Sequence, residues 1–254
     1  MKYLVSGIVV AALLLGFPSN ALSQSEITLL SPNPIKETID ELVAAFQART
    51  GVRVKVTYGT GVGTRKTVAS GQALDVSLLF APFPEALKTG NIVPGSATVV
   101  ARQRLAIAVK KGAPRPDIST AAAVTRTLLN AKSIISVDPE QGSVGGAALL
   151  ALDKMGITGQ VRPKIKWVPT GGVVQDAVAR GESDIALGPY LSDMRNPGLD
   201  VVGALPPEAS TPIDITGFLS TSVKDAKAAR ALLDYLSSLE AGPAWKAAKI
   251  FPVR

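Results

Sequence analysis

The chain has 254 residues, with no cysteine and no histidine, and its 27 basic and 20 acidic residues give a net charge of +7. The missing residue types exclude disulfides, Ser-His-Asp and Cys-His nucleophilic sites, and zinc held by His or Cys. A positive charge favours small anionic partners, and because it is spread along the chain with few aromatics it does not indicate nucleic-acid binding.

Residues 1–23 have the pattern of a secretory signal peptide. Lys2 precedes a mostly apolar run over residues 3–17, and small and polar residues follow. The run is shorter than the roughly 20 apolar residues that span a bilayer. Cleavage after Ala21 or after Ser23 fits equally well. The leader predicts export to the periplasm, and the mature chain, with a net charge of +6, is expected to be a soluble monomer.

The first half of the mature chain alternates strands and helices. Strands are predicted at residues 26–30, 52–58 and 75–80, and helices at residues 35–46 and from the Gly-rich turn 59–64 to about residue 71. Two prolines within residues 31–34 predict a loop after the first strand. This order is typical of βαβ units with parallel strands in a doubly wound sheet.

The second half repeats the alternation. Strands are predicted at residues 104–110, 133–137, 165–168, 184–187, 201–202 and 213–220, and helices at residues 120–131, from the turn 138–146 to about 156, at 173–180, at 225–239 and around Trp245. Asp138 and Glu140 are interpreted as acidic residues at a helix start. In such sheets, ligands bind at the carboxyl ends of strands, where helix N-termini offer backbone N–H groups to anions.

Several short segments carry a resemblance through their order and spacing. They are residues 26–30, 58–61, 69–71 with 75–76, 138–140 with 145–146, 180–182 with 184–185, and 188–193 with 197–206. Together they resemble the periplasmic solute-binding proteins of ABC transporters, in particular the molybdate-binding family and its relatives of unassigned substrate. The resemblance covers essentially the whole mature chain.

The resemblance implies an α/β fold of two lobes, the type II periplasmic binding protein fold, with the ligand cleft between the lobes. Lobe 1 would comprise residues 24–101 and 217–254, and lobe 2 residues 102–216. The resemblance also implies a small anionic ligand, an ABC permease as partner, and neither metal nor cofactor.

The family's ligand loops fall on identifiable positions of this chain. Its two loop serines match Pro34 and Gly61, next to Asn33 and Thr60, and because neither match carries a hydroxyl, molybdate is expected to bind weakly. The third loop falls near Ser143 and Val144, the fourth near Gly172 or Val173, and the family's Tyr matches Tyr190 with one gap. The resulting candidate ligand-binding residues are Asn33, Thr60, Gly61, Arg65, Ser143, Val144, Gly172 and Tyr190.

Arg65 is a candidate on its own chemistry, because a guanidinium one turn into a helix after a Gly-rich loop could pair bidentately with a carboxylate. Four of the candidates also have a purely structural interpretation. Arg65 could be a solvated helix residue, Thr60 and Ser143 could be helix N-caps, and Tyr190 could be a packed aromatic.

Two functions remain open. One is capture of a small oxyanion or a di- or tricarboxylate for a permease. The other is a cofactor-independent isomerase on the same scaffold, since an exported aconitate isomerase is similar to this family. Without histidine its base would be a carboxylate, Lys or Tyr, and no catalytic residue is assigned.

Overall fold

The computed structural model describes residues 25–190 and 196–254. The predicted leader, residues 1–23, and residues 191–193 of the segment 188–193 lie outside the described residues. Within the described part, no helix is long and apolar enough to cross a membrane.

Strands and helices alternate as the sequence predicts. The strands are β1 (Glu26–Pro32), β2 (Arg53–Gly59), β3 (Val76–Phe80), β4 (Thr98–Gln103), β5 (Leu105–Lys110), β6 (Ile134–Val137), β7 (Ile165–Val168), β8 (Ile185–Pro189), β9 (Leu199–Ala204), β10 (Ile213–Leu219) and β11 (Phe251–Pro252). The helices are α1 (Lys36–Thr50), α2 (Gly61–Ala69), α3 (Pro84–Lys88), α4 (Ala121–Asn130), α5 (Ser143–Lys154), α6 (Thr158–Val161), α7 (Gly171–Arg180), α8 (Ala226–Leu236) and α9 (Gly242–Ala247).

The described strands form two sheets. The first has six strands in the order β11-β4-β10-β3-β1-β2, and the second has five in the order β7-β6-β8-β5-β9. In both, parallel strands pair at one side (β2-β1-β3 and β7-β6-β8) and antiparallel strands complete the sheet. The predicted α/β class with two lobes is confirmed.

Capping side chains and buried apolar faces explain where the helices form. Thr60, Thr120 and Asp225 each accept a backbone N–H at the start of α2, α4 and α8. Helix α1 is capped at its C-terminus by Gly51, whose φ of 72° is the left-handed conformation that glycine adopts readily. The α1 face bearing Ile39, Leu42 and Phe46 is buried, as expected for a helix lying on a sheet.

The loop predicted at residues 31–34 begins too early. Strand β1 continues through Pro32, which lies opposite Gly59 of β2. Pairing of β1 with β3 stops at Leu30 opposite Ser77, so Pro32 has a strand on one side only and its missing N–H interrupts no second ladder. Four further elements have no counterpart in the predictions, namely β4, α3, α6 and the two-residue β11, and β9 is longer than predicted.

The chain crosses between the sheets twice. It leaves the first sheet after Gln103 and returns to it at Ile213. The predicted lobe boundaries, between residues 101 and 102 and between 216 and 217, each fall inside a strand of the first sheet, β4 or β10. We propose boundaries at Arg104 and within residues 205–212, because these segments join strands of different sheets.

A buried carboxylate joins three segments at the amino ends of the first sheet's strands. The N–H and hydroxyl of Thr28 each donate to Asp75 Oδ2 at 2.8 Å, and Asp75 N donates back to Thr28 Oγ1 at 2.9 Å. Lys224 N donates to Asp75 Oδ1 at 2.8 Å. The hydrogen bonds between Thr28 and Asp75 connect β1 to β3, and the bond from Lys224 fixes the segment that leads into α8.

The second sheet repeats this arrangement. Asp184, immediately before β8, accepts from Lys132 N and Ser133 N at 2.9 and 3.3 Å. Asp184 N donates to Ser133 Oγ at 3.0 Å. Asp75 and Asp184 therefore occupy equivalent places in two sheets built on the same plan, each joining the start of one central strand to the start of its neighbour.

The Asp75 carboxylate should make stability depend on pH. Burial by itself would raise the pKa of Asp75, but the N–H groups of Lys224 and Thr28 and the Thr28 hydroxyl together hold it below its usual value. A lowered folded pKa stabilises the protein fully above the unfolded value of about 4, and this contribution is lost as the pH falls through the folded pKa.

We therefore expect Asp75→Asn to lower the free energy of unfolding at neutral pH by about 2 to 3 kcal/mol, because hydrogen bonds to a buried charge are lost. Urea titrations should show this difference shrinking as the pH falls towards about 3. Asp234→Asn, at an exposed position on α8, is the control and should change little. A deficit of equal size at both pH values would contradict this account.

Candidate functional site

The two sheets approach each other where α2 and α5 begin. Helix α2 follows β2 of the first sheet, and α5 follows β6 of the second. Arg65 of α2 donates from Nη1 to Ser143 Oγ at 2.8 Å and to the Pro82 carbonyl at 3.2 Å. Arg65 is half-buried and Ser143 is 7% exposed, so a cationic side chain of one lobe contacts the first helical residue of the other.

The start of α2 is shaped by its glycines. Thr60 is the N-cap, and its Oγ1 accepts the Gly63 N–H at 2.9 Å. A Cβ added to Gly63 would lie 2.9 Å from that oxygen, so the cap needs glycine there. A Cβ on Gly61 would lie 3.8 Å from the Phe80 ring and 3.9 Å from Ser143 Oγ. The Gly61 backbone therefore lies beside the contact between the lobes.

The start of α5 depends on an equally close approach. Gly145, in the first turn, faces the turn after β6, and an added Cβ would lie 2.1 Å from the Val137 carbonyl oxygen and 2.6 Å from Pro139 N. Absence of a side chain at Gly145 lets α5 sit directly on this turn. The position of Ser143 follows from that packing.

The acidic residues before α5 are not at a helix start. Helix α5 begins at Ser143 with Gly142 as N-cap, so the interpretation of Asp138 and Glu140 as helix-start acids is wrong. The Asp138 carboxylate instead accepts the Glu140 N–H at 2.8 Å within the turn, because a short Asp side chain readily bonds to the backbone two residues on.

Tyr190 lies near the crossing of the chain between the sheets. Its N–H donates to the Arg104 carbonyl at 2.7 Å, and Lys249 Nζ lies 5.2 Å from its ring centroid. None of the described contacts joins Tyr190 to Arg65 or Ser143.

The remaining candidates are spread along the strand ends. Asn33 is exposed in a short 3-10 turn after β1, and Gly172 is exposed in the first turn of α7, whose N-cap Thr170 accepts the Val173 N–H at 3.5 Å. Val144 is partly buried and packs against the core. The structure thus brings Gly61, Arg65 and Ser143 together, with Thr60 holding the turn that carries Gly61.

Sequence reasoning missed Pro82 and Phe80. Phe80 ends β3, a strand that was predicted, and Pro82 follows two residues later, so examining the end of that strand would have found both. Lys249 follows a short C-terminal helix and had no pattern to mark it.

The contact between the lobes has a positive electrostatic character. Both partners of Arg65 are uncharged oxygens, and none of the ion pairs among the described residues includes it. The N-terminal turns of α2 and α5 add partial positive charge and N–H groups without intrahelical partners. Such surroundings attract an anion. Within the described residues, no cluster of His, Cys, Asp and Glu could hold a metal ion.

A surface depression lies elsewhere. Its volume is about 740 Å³, and its lining includes Lys110, Asp117, Arg126 and Asp184. Because it borders the amino ends of β6 and β8, it is on the edge of the second sheet away from α5. Its lining charges are of both signs, and Arg126 already lies 3.8 Å from Asp117. The convergent donors at the contact between the lobes make that contact the better candidate.

Most of the chain is similar in sequence to known proteins. The family model for bacterial extracellular solute-binding proteins matches residues 27–248. An aconitate isomerase from a Pseudomonas species is 29% identical over 234 residues, which are 89% of this chain and 88% of that protein. A molybdate-binding protein of Rhodobacter capsulatus is 26% identical over 239 residues, covering 93% of this chain and 92% of that protein.

The fold agrees with these matches. The solved structure of the sulfate-binding protein from Mycobacterium tuberculosis superimposes with a TM-score of 0.71 at 18% identity, covering 90% of this chain and 87% of that one. At that identity the likeness concerns the fold.

A pair of neighbouring glycines tests how α5 places Ser143. Gly145→Ala should destabilise the protein by about 3 kcal/mol, because its Cβ meets backbone atoms that cannot rotate away. Gly146→Ala is the matched control, since its Cβ would meet nothing within 4 Å and alanine favours a helix by about 1 kcal/mol over glycine. Chemical denaturation of both variants measures the difference, and equal stabilities would contradict the packing described.

Proposed function

The chain belongs to the bacterial extracellular solute-binding proteins, and from this premise we propose that it captures a small organic acid, a di- or tricarboxylate, between its lobes. The leader exports it to the periplasm, and an ABC permease receives the ligand. The ligand residues are those at the carboxyl ends of the strands: Asn33, Thr60, Gly61, Arg65, Ser143, Val144, Gly172 and Tyr190.

The contact of Arg65 with Ser143 carries the proposal. A half-buried guanidinium that has only neutral oxygens as partners retains donors and an uncompensated charge. A ligand carboxylate would accept two parallel hydrogen bonds from it, which is among the strongest pairings available to a side chain. Because the Ser143 hydroxyl accepts from Arg65, its own proton is free for donation to the same anion.

The backbone around Arg65 supports an anion as well. The first turns of α2 and α5 present N–H groups, and glycine at position 61 leaves room beside Ser143. Closing the lobes around the ligand would bring donors from both sheets onto one molecule. A planar carboxylate suits the flat guanidinium better than a tetrahedral oxyanion does.

Molybdate fits less well, although the molybdate-binding proteins are relatives. At the two positions where that family places serines, this chain has Pro34 and Gly61, and Pro34 lacks even a backbone N–H. Each lost donor to a charged group is worth about 1.5 to 3 kcal/mol.

Calorimetry on the mature protein tests the proposal with citrate, cis-aconitate, trans-aconitate, succinate, sulfate and molybdate. We expect a di- or tricarboxylate to bind at least tenfold more tightly than molybdate. Arg65→Ala should weaken that binding by about 2 kcal/mol or more, a factor of about 30, while leaving the melting temperature near that of the wild type. Arg65→Lys keeps the charge but not the bidentate geometry, and its affinity should lie between those of the wild type and Arg65→Ala.

Lys66→Ala is the matched control, since Lys66 is the exposed neighbour of Arg65 on the same helix, and it should bind like the wild type. Equal affinities in the Arg65 and Lys66 variants, or tight binding of molybdate with no binding of any carboxylate, would overturn the proposal.

A second candidate function is isomerisation of aconitate. The observation that favours it is the 29% identity to an aconitate isomerase over 89% of this chain. In such a reaction a base removes a proton from carbon, and the proton returns at the other end of the allylic system, so no cofactor is consumed. Arg65 would hold a carboxylate of the substrate, and a Lys, Tyr or carboxylate of the cleft would move the proton.

Proton NMR of cis-aconitate incubated with catalytic amounts of purified protein separates the two functions. Formation of trans-aconitate over many turnovers, abolished in Arg65→Ala prepared in parallel, would establish the isomerase. Binding without any conversion, at enzyme concentrations near that of the ligand, would leave solute capture as the function. Activity of equal size in both preparations would identify a contaminant.

A further inference from the structure

Lys249 has an unusual backbone conformation. Among the described residues it is the one non-glycine with a positive φ, at 60°. It follows α9, where Ile250 N donates to the Trp245 carbonyl and Lys249 N to the Lys246 carbonyl, each at 2.9 Å. These are the two bonds of a Schellman motif, and the left-handed residue within that motif is usually glycine because a Cβ is unfavourable there. A lysine at this unfavourable position indicates that its side chain makes a compensating contact.

The side chain reaches the other lobe. Lys249 immediately precedes the segment that adds β11 to the first sheet, whereas Tyr190 follows β8 of the second. The Lys249 ammonium lies 5.2 Å from the centroid of the Tyr190 ring, within the range of a cation-π interaction. No ion pair among the described residues includes Lys249, so this ring is the partner that the structure provides.

The two residues are anchored on opposite sides of a crossing between the sheets. Phe251, two residues after Lys249, pairs with Arg102 of β4. Tyr190 N donates to the Arg104 carbonyl, and Pro189 pairs with Leu105 of β5. Gln103 lies between these anchors. A rotation of the lobes about this segment would move Lys249 with the first sheet and Tyr190 with the second, which would change the distance between them.

We propose that Lys249 and Tyr190 form a latch between the lobes that stabilises their described arrangement and fixes the position of the Tyr190 ring. Lys249 acts through Tyr190, as a positioning residue. The latch is independent of Arg65 and Ser143 and of which ligand the cleft takes. The latch would raise the affinity for a ligand that fits this arrangement, because a ligand binds more tightly when the binding-competent state is already populated.

The absence of cysteine allows a direct test. In the variant Glu41→Cys with Gln160→Cys, spin labels attach only at two exposed positions, one in α1 and one in α6. Double electron-electron resonance then measures the distance between the lobes without ligand. Lys249→Gly should shift the distribution to longer distances or broaden it, while the melting temperature stays the same or rises because glycine relieves the left-handed backbone.

Conservative variants separate the latch from other roles. Lys249→Arg and Tyr190→Phe keep a cation over a ring and should retain the wild-type distribution, whereas Tyr190→Leu should reproduce the effect of Lys249→Gly. An unchanged distribution in Lys249→Gly would overturn the proposal. A shift that comes with a lower melting temperature would also overturn it, by assigning Lys249 to folding. Because no ligand is added, failure here would leave the proposed function untouched.

Discussion

The Asp75 carboxylate ties the start of β1 to the start of β3, and the loops at the far ends of these strands take their spacing from that tie. Three of its hydrogen bonds come from Thr28 and Lys224, on segments far apart in the chain. Asp184 does the same for β6 and β8 with Lys132 and Ser133. Parallel strands held in register at one edge present their carboxyl ends together at the other, and the loops there carry the candidate site.

Positive charge between the lobes is the second organising constraint. Arg65 and Lys249 both reach from the first lobe to neutral groups of the second, a hydroxyl and an aromatic ring. The Arg65 contact with neutral oxygens is weak beside a pairing of opposite charges, so an anion can replace it. Neutral partners that a ligand can replace are consistent with membership of the solute-binding proteins.

The local pattern predicted most strands and helices, because the first half alternates apolar strands with capped, periodic helices. It failed where tertiary contacts overrule local chemistry. Strand β1 runs through Pro32, since β2 alone flanks it there. Strand β4 went unpredicted although it pairs with β10 and β11, because its pairing partners lie more than 100 residues away. Asp138 and Glu140 were predicted to be helix-start acids, yet α5 begins only at Ser143. Its first turn packs against the preceding turn through Gly145.

The division into two lobes was implied by the resemblance to the periplasmic solute-binding proteins. For this protein, the sequence by itself determined the α/β class, the absence of histidine and cysteine chemistry, and the strand ends where an anion could bind. Those properties follow from composition and local periodicity. Only the tertiary structure decided that Arg65 meets Ser143, 78 residues further along the chain, and that Lys249 meets Tyr190. Such meetings depend on the relative placement of two sheets, which is set by the crossing segments and by close glycine contacts that local sequence does not encode.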